Sequence, residues 1–117
     1  MKVKVFEYAK CSTCRNALKF LKGRKIEFTS VPIIDQPPSV SELKAMLGYV
    51  GDIKRLFNTS GVQYRELGIA DKLKTMTEAQ ALALLSKNGK LIKRPFVLMP
   101  GRGLVGFREP EWQAAFK

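Results

Sequence analysis

An α/β fold built on a four-stranded mixed sheet is what the chain's pattern predicts, and three features carry that expectation. Residues 1–8 alternate, with Val3 and Val5 on one side and Phe6 available to the other, whereas Ala17, Leu18, Phe20 and Leu21 recur at helical spacing. Ile26, Phe28 and Val31 then form a second, broken alternation within Lys25 to Ile34, so the first third reads strand, helix, strand. Near the other end, Phe96 to Met99 and Leu104 to Phe107 are short apolar runs flanking the turn Pro100-Gly101-Arg102-Gly103. A helical crossover makes the first two strands parallel, and a tight hairpin makes the last two antiparallel.

Between these parts the pattern is helical. Pro37 and Pro38 end the second strand region, and Ser39 with Glu42 forms a capping box for a helix over Val40 to Leu47. Gly48 and Gly51 interrupt it, Ile53, Leu56 and Phe57 resume it, and Asn58-Thr59-Ser60-Gly61 is a polar turn. Tyr64 to Lys74 places Leu67, Ile69 and Leu73 around Gly68. Thr77 with Gln80 then caps a helix through Ala79, Ala81, Leu82, Leu84 and Leu85, which Asn88-Gly89 ends. A last short helix over Glu109 to Phe116 tolerates Pro110 in its first turn and offers Trp112, Ala115 and Phe116 for packing. The 117 residues suit one domain over 1–117, with residues of about 39–87 as a central helical insertion rather than a second unit. This order of βαβ, helices and ββα is the thioredoxin-like plan.

Both cysteines of the chain lie in Cys11-Ser12-Thr13-Cys14, at the junction of the first strand and the first helix. Unpaired backbone N–H groups and the positive end of the helix dipole favour a thiolate there, and Arg15 adds a cationic neighbour. Cys11 is therefore the expected nucleophile and Cys14, one turn into the helix, the resolving thiol. Two other readings stand beside this one. A structural zinc site needs four Cys or His ligands, and the chain has two cysteines and no histidine, so a metal would require two pairs brought together by a dimer. Alternatively, both cysteines are small buried apolar residues. The expectation is a redox pair with no metal and no bound cofactor.

Charge and length set further bounds. The formal charge is +11, from 21 Lys and Arg against 10 Asp and Glu, and it is spread along the chain rather than concentrated in one block. It suits the steering of an anionic small thiol or oxyanion, or docking on an acidic partner, and equally a solvated lysine-rich surface. No DNA-reading motif is present. No apolar run approaches a membrane span and the amino terminus lacks a secretory signal pattern, so no membrane association and a cytoplasmic location are expected. In a reducing compartment a single CxxC pair is catalytic or sensing rather than a structural disulfide.

With the CxxC at the first strand-to-helix turn and Arg94-Pro95 before the final hairpin, the chain resembles the glutaredoxin-like arsenate reductase family and its Spx-type relatives. Residues that carry the resemblance are Cys11-Ser12-Thr13-Cys14-Arg15-Asn16-Ala17, Gln36-Pro37-Pro38-Ser39, Tyr64-Arg65-Glu66-Leu67-Gly68, Leu91-Ile92-Lys93-Arg94-Pro95 and Val105-Gly106-Phe107. The resemblance implies a thioredoxin-like fold in which Cys11 attacks arsenate, a glutathione-linked disulfide or another oxidised sulfur. It also implies that Arg94 binds an anion and that Pro95 is cis beside the nucleophile; the alternative for Arg94-Pro95 is a plain turn before a strand. Arg15 joins Arg94 and Pro95 as the expected anion-binding set.

The chain departs from that family at two points. Asn58 stands where the middle helical segment would supply an oxyanion-binding arginine, leaving Arg102 or Arg108 to provide the remaining charge. Cys14 is an addition that favours intramolecular disulfide chemistry, in which a mixed disulfide on Cys11 is resolved by Cys14. Sulfur chemistry is thus expected ahead of arsenate turnover, with glutathione or a dithiol as co-substrate. The competing functions are an Spx-type redox regulator that binds RNA polymerase, and a fold that binds an anion or thiol without turnover.

Overall fold

The structure, a computed structural model, describes residues 2–116. The first strand, β1 (Lys4–Glu7), leads into α1 (Ser12–Gly23) and then β2 (Thr29–Pro32). The insertion follows as α2 (Val40–Val50), a 3-10 turn (Ile53–Leu56), α3 (Val62–Glu66), α4 (Ile69–Lys72), α5 (Glu78–Ser86) and a second 3-10 turn (Gly89–Leu91). The hairpin β3 (Phe96–Met99) and β4 (Arg102–Val105) and the helix α6 (Glu109–Ala115) complete the order. The strands lie as β2-β1-β3-β4; β1 and β2 are parallel, while β1 pairs antiparallel with β3 and β3 with β4.

Alternation along the strands divides the core between the two faces of this sheet. Val3, Val5, Val97, Met99 and Leu104 point to the face covered by Ala17 and Leu21 of α1 and Trp112 of α6. Phe6, Phe96 and Val105 point to the other, where Leu43 and Met46 of α2 and Leu82 and Leu85 of α5 pack. The helices thus cover both faces. Phe6 and Phe96, neighbours across the β1/β3 pair, meet edge to face at 5.6 Å, and the Trp112 indole N–H donates to the Gly106 carbonyl at 3.1 Å.

Both capping boxes form as the sequence indicates. The Ser39 hydroxyl accepts from the Glu42 N–H while Glu42 accepts from the Ser39 N–H, and Thr77 and Gln80 do the same. Three boundaries differ from expectation. Gly48 does not interrupt α2, because Leu43 and Met46 anchor its buried face; the helix ends at Gly51, whose φ of 80° suits glycine and whose N–H donates to the Leu47 carbonyl at 2.8 Å. Tyr64 to Lys74 divides into α3 and α4 at Gly68, where φ is 62°. The returning strand is Arg102–Val105 rather than Leu104 to Phe107. Only Pro100 and Gly101 (φ 75°) form the turn, and Gly106 (φ 73°) leaves the ladder to donate its N–H to the Pro95 carbonyl.

Candidate active site

Cys11 is the N-cap of α1, with an extended backbone (φ −100°, ψ 113°), and its sulfur takes the place usually filled by a serine or aspartate oxygen. Sγ accepts the Cys14 N–H at 3.3 Å. The Cys11 N–H donates to the Tyr8 carbonyl at 3.0 Å and the Cys11 carbonyl accepts the Arg15 N–H at 3.1 Å, fixing the residue between β1 and α1. Cys14 lies on the inward stripe of α1 with Ala17 and Leu21 and is fully buried, whereas Cys11 is half-buried. Both are free thiols.

Arg94 approaches from the segment before β3. The Arg94–Pro95 peptide bond is cis and Pro95 is buried. The Arg94 guanidinium lies over the Tyr8 ring, 5.0 Å from its centroid, so the residue whose carbonyl holds Cys11 also supports the cation that faces it. Partial burial opposes the charged form of Cys11. The hydrogen bonds from Cys14 and the charge and hydrogen bond of Arg94 outweigh it, and the Cys11 pKa falls below the ordinary thiol value. Burial, followed by the hydrogen bond and charge of Cys11, pushes Cys14 up to about 12. The outer thiol thereby ionises more readily than the inner one.

Cys11 opens into a cavity of about 690 Å³. Thr13 lines it from α1, Lys54, Arg55 and Asn58 from the insertion, Lys93 and Arg94 from the approach to β3, and Arg108 from the start of α6. A short antiparallel pairing joins two of these sources. Phe57 and Ile92 form an isolated bridge, the Asn58 N–H donates to the Leu91 carbonyl at 2.7 Å, and the Lys93 N–H donates to the Leu56 carbonyl at 2.8 Å. The insertion is therefore tied along the segment that carries Arg94.

Of the residues singled out from the sequence, Cys11, Cys14 and Arg94 come together, whereas Pro95, buried next to Arg94, lies outside the cavity lining. Arg15 is exposed and lies outside the cavity lining. Arg108 lines the cavity, while Arg102 sits at the far end of the hairpin beside Tyr49. Lys54, Arg55 and Lys93 also line it, although sequence reasoning did not single them out as site residues; their one signal, positive charge, is shared with much of the chain. Asn58 does line the site, as does Arg55 three residues earlier, whose Nη1 donates to the Val50 carbonyl at 3.4 Å and which also borders the surface around Arg102.

A thioredoxin-like α/β domain whose helical insertion helps line a cavity at the first cysteine of a CxxC pair is the class that this fold and site define. Within that class the chain belongs to the ArsC family, which residues 6–115 match. It is 43% identical to YusI of Bacillus subtilis (strain 168), over 97% of each chain, and 32% identical to an arsenate reductase of Rhizobium meliloti (strain 1021), over 86% of this chain and 71% of that one. The regulatory protein MgsR of Bacillus subtilis is 26% identical over 91% of this chain and 83% of its own. The crystal structure of an ArsC family related protein from Bacteroides fragilis superposes with a TM-score of 0.92 at 47% identity, covering 97% of each chain. No helix among the described residues is long and apolar enough to cross a membrane.

Proposed function

We propose that the protein is a small thiol–disulfide oxidoreductase of the ArsC family, with Cys11 as nucleophile and Cys14 as resolving thiol. The observation that carries this reading is the placement of the two free thiols: Cys11 caps α1 with its Sγ accepting the Cys14 N–H at 3.3 Å beside Arg94, which favours its thiolate, whereas Cys14 is fully buried, which favours its thiol. In the first step the Cys11 thiolate attacks one sulfur of a disulfide. A Cys11–substrate disulfide forms, the original S–S bond breaks, and the other half leaves as a thiolate that takes a proton from water. That step removes the negative charge and the acceptor on Cys11 that help hold Cys14 protonated. Cys14 then loses its proton to water and attacks Cys11 Sγ, releasing the second thiol and leaving a Cys11–Cys14 disulfide. Two molecules of glutathione, or one dithiol, return the pair to the reduced state.

Wild type, Cys11→Ser and Cys14→Ser, each assayed against a glutathionylated peptide and against arsenate, test this reading. It requires turnover of the glutathionylated peptide by wild type, loss of turnover in Cys11→Ser, and a Cys11 mixed disulfide accumulating in Cys14→Ser. A wild-type protein that neither exchanges with the peptide nor reacts at Cys11 below the ordinary thiol range overturns it. Partial survival of Cys14→Ser with added glutathione assigns a monothiol route.

The similarity to MgsR, together with the charge of +11, favours a second reading: an Spx-type regulator whose CxxC changes its affinity for RNA polymerase. Co-purification with RNA polymerase in only one redox state supports it. Failure to co-purify in both states eliminates it.

A further inference from the structure

The cavity beside Cys11 carries more positive charge than a single oxyanion or a glutathione moiety needs. Lys54, Arg55, Lys93, Arg94 and Arg108 line it against one carboxylate, Asp52. That carboxylate is already engaged as the cap of the 3-10 turn, accepting the Lys54 backbone N–H at 3.0 Å. The ion pairs among the described residues, Lys4–Glu42 and Lys74–Asp71, take none of the five cations, although Arg55 Nη1 donates to the Val50 carbonyl at 3.4 Å and Arg94 lies against the Tyr8 ring and Cys11. Gly106, with φ 73°, lies beside one of them: a Cβ there would meet the Lys93 Cε at 3.1 Å, so the lysine's flexible end would have to shift to make room for it.

Gathering like charges around one opening costs self-repulsion, which a multiply charged ligand relieves. At about 690 Å³ the space falls within the range of about 300–1,000 Å³ typical of small-molecule sites, far larger than a lone tetrahedral oxyanion occupies. Glutathione offsets one of its carboxylates with its own ammonium. Phosphates concentrate charge and match the fork of an arginine, and three of the five cations are arginines.

We infer that the disulfide attacked by Cys11 joins a thiol to a low-molecular-weight thiol carrying several phosphates, and that this polyanionic half docks among Lys54, Arg55, Lys93, Arg94 and Arg108. The inference rests on the thiol–disulfide reading and narrows its substrate. Cys11 forms a new S–S bond to the sulfur of the phosphate-bearing half, and the other thiol departs with the electron pair of the broken bond. Attack by Cys14 then releases the phosphate-bearing thiol, and the glutathione or dithiol reductant named above reduces the Cys11–Cys14 disulfide.

The test uses one reporter peptide thiol joined in turn to coenzyme A, to glutathione and to cysteamine, with peptide release followed at low and high salt. The coenzyme A disulfide should react at least about tenfold faster than the glutathione disulfide at low salt, and cysteamine slowest. High salt, and the double variant Lys54→Gln/Lys93→Gln, should shrink that ratio, whereas Lys87→Gln, away from the cavity, should leave it unchanged. Equal rates for all three disulfides overturn the inference and leave the oxidoreductase reading standing, as does a preference that persists in the double variant. No release from any of the three overturns both.

Discussion

Tyr8 has two contacts with the reacting centre, its carbonyl accepting from the Cys11 N–H and its ring beneath the Arg94 guanidinium. Removing the ring should loosen the cation that helps lower the Cys11 pKa. In Tyr8→Leu, the pH at which iodoacetamide alkylation of Cys11 reaches half its maximal rate should rise toward the ordinary thiol value of about 8.5, while Tyr8→Phe should retain the wild-type profile. Arg94→Ala should raise the same midpoint, because a cation favours the thiolate and its loss favours the thiol. The sign is fixed by chemistry: a lowered pKa means more thiolate at a given pH, so each loss moves the alkylation curve to higher pH. An unshifted curve in both variants would remove Arg94 from the account of Cys11. At this scale the sequence was informative about Cys11, Cys14 and Arg94, because their motifs are local. It was silent about Lys54 and Arg55, which look like any other surface cations of a basic chain, and it met Lys93 only as a neighbour of Arg94 with no role of its own.

Among the elements, α2 shows how a local signal connects to distant structure. Its capping residue Glu42 also accepts from Lys4 Nζ at 2.8 Å, so one carboxylate joins the helix start to β1. Partial burial opposes the ionised form, but the Lys4 and Ser39 hydrogen bonds outweigh it and hold the Glu42 pKa below its usual value. A carboxylate lowered on folding contributes stability above its unfolded pKa and loses it as pH falls through the folded one. Glu42→Gln should therefore lower the denaturation midpoint by an amount worth about 1 kcal/mol at neutral pH, with the gap to wild type closing as pH drops below the carboxylate range. The 3-10 turn before β3 carries a steric constraint instead. A Cβ on Gly89 would collide with the Ile33 backbone, where the exit of β2 passes the end of the insertion. Gly89→Ala should cost about 3 kcal/mol, read as a fall in thermal midpoint with the far-ultraviolet spectrum retained. Helix starts were legible because capping boxes are short patterns. The β4 boundary was less so, since Gly106 and Gly103 are indistinguishable until the hairpin register places one of them at the strand's end and the other against Met46 and Tyr49.

For the whole molecule, the two halves of the site are held together by the pairing of Leu56–Asn58 with Leu91–Lys93. These segments lie more than thirty residues apart, and the contact sets the insertion's cations beside Arg94. Periodicity and turn residues were enough to determine the α/β class, the order of elements, the position of the cysteine pair at a helix start, and the resemblance that pointed to Arg94 and Pro95. Each of these rests on neighbours within a few positions of one another. The tertiary structure alone decided that Arg108 rather than Arg102 reaches the cavity, that Arg55 lines it beside Asn58, and that Arg15 faces away. It also decided that the two cysteines, alike in the sequence, have opposite tendencies to ionise: burial in the α1 core holds Cys14 neutral, and the open helix start with Arg94 beside it favours the charge on Cys11. Burial and charge proximity depend on residues brought together by folding, whereas turns, caps and alternation depend on residues already adjacent in the chain.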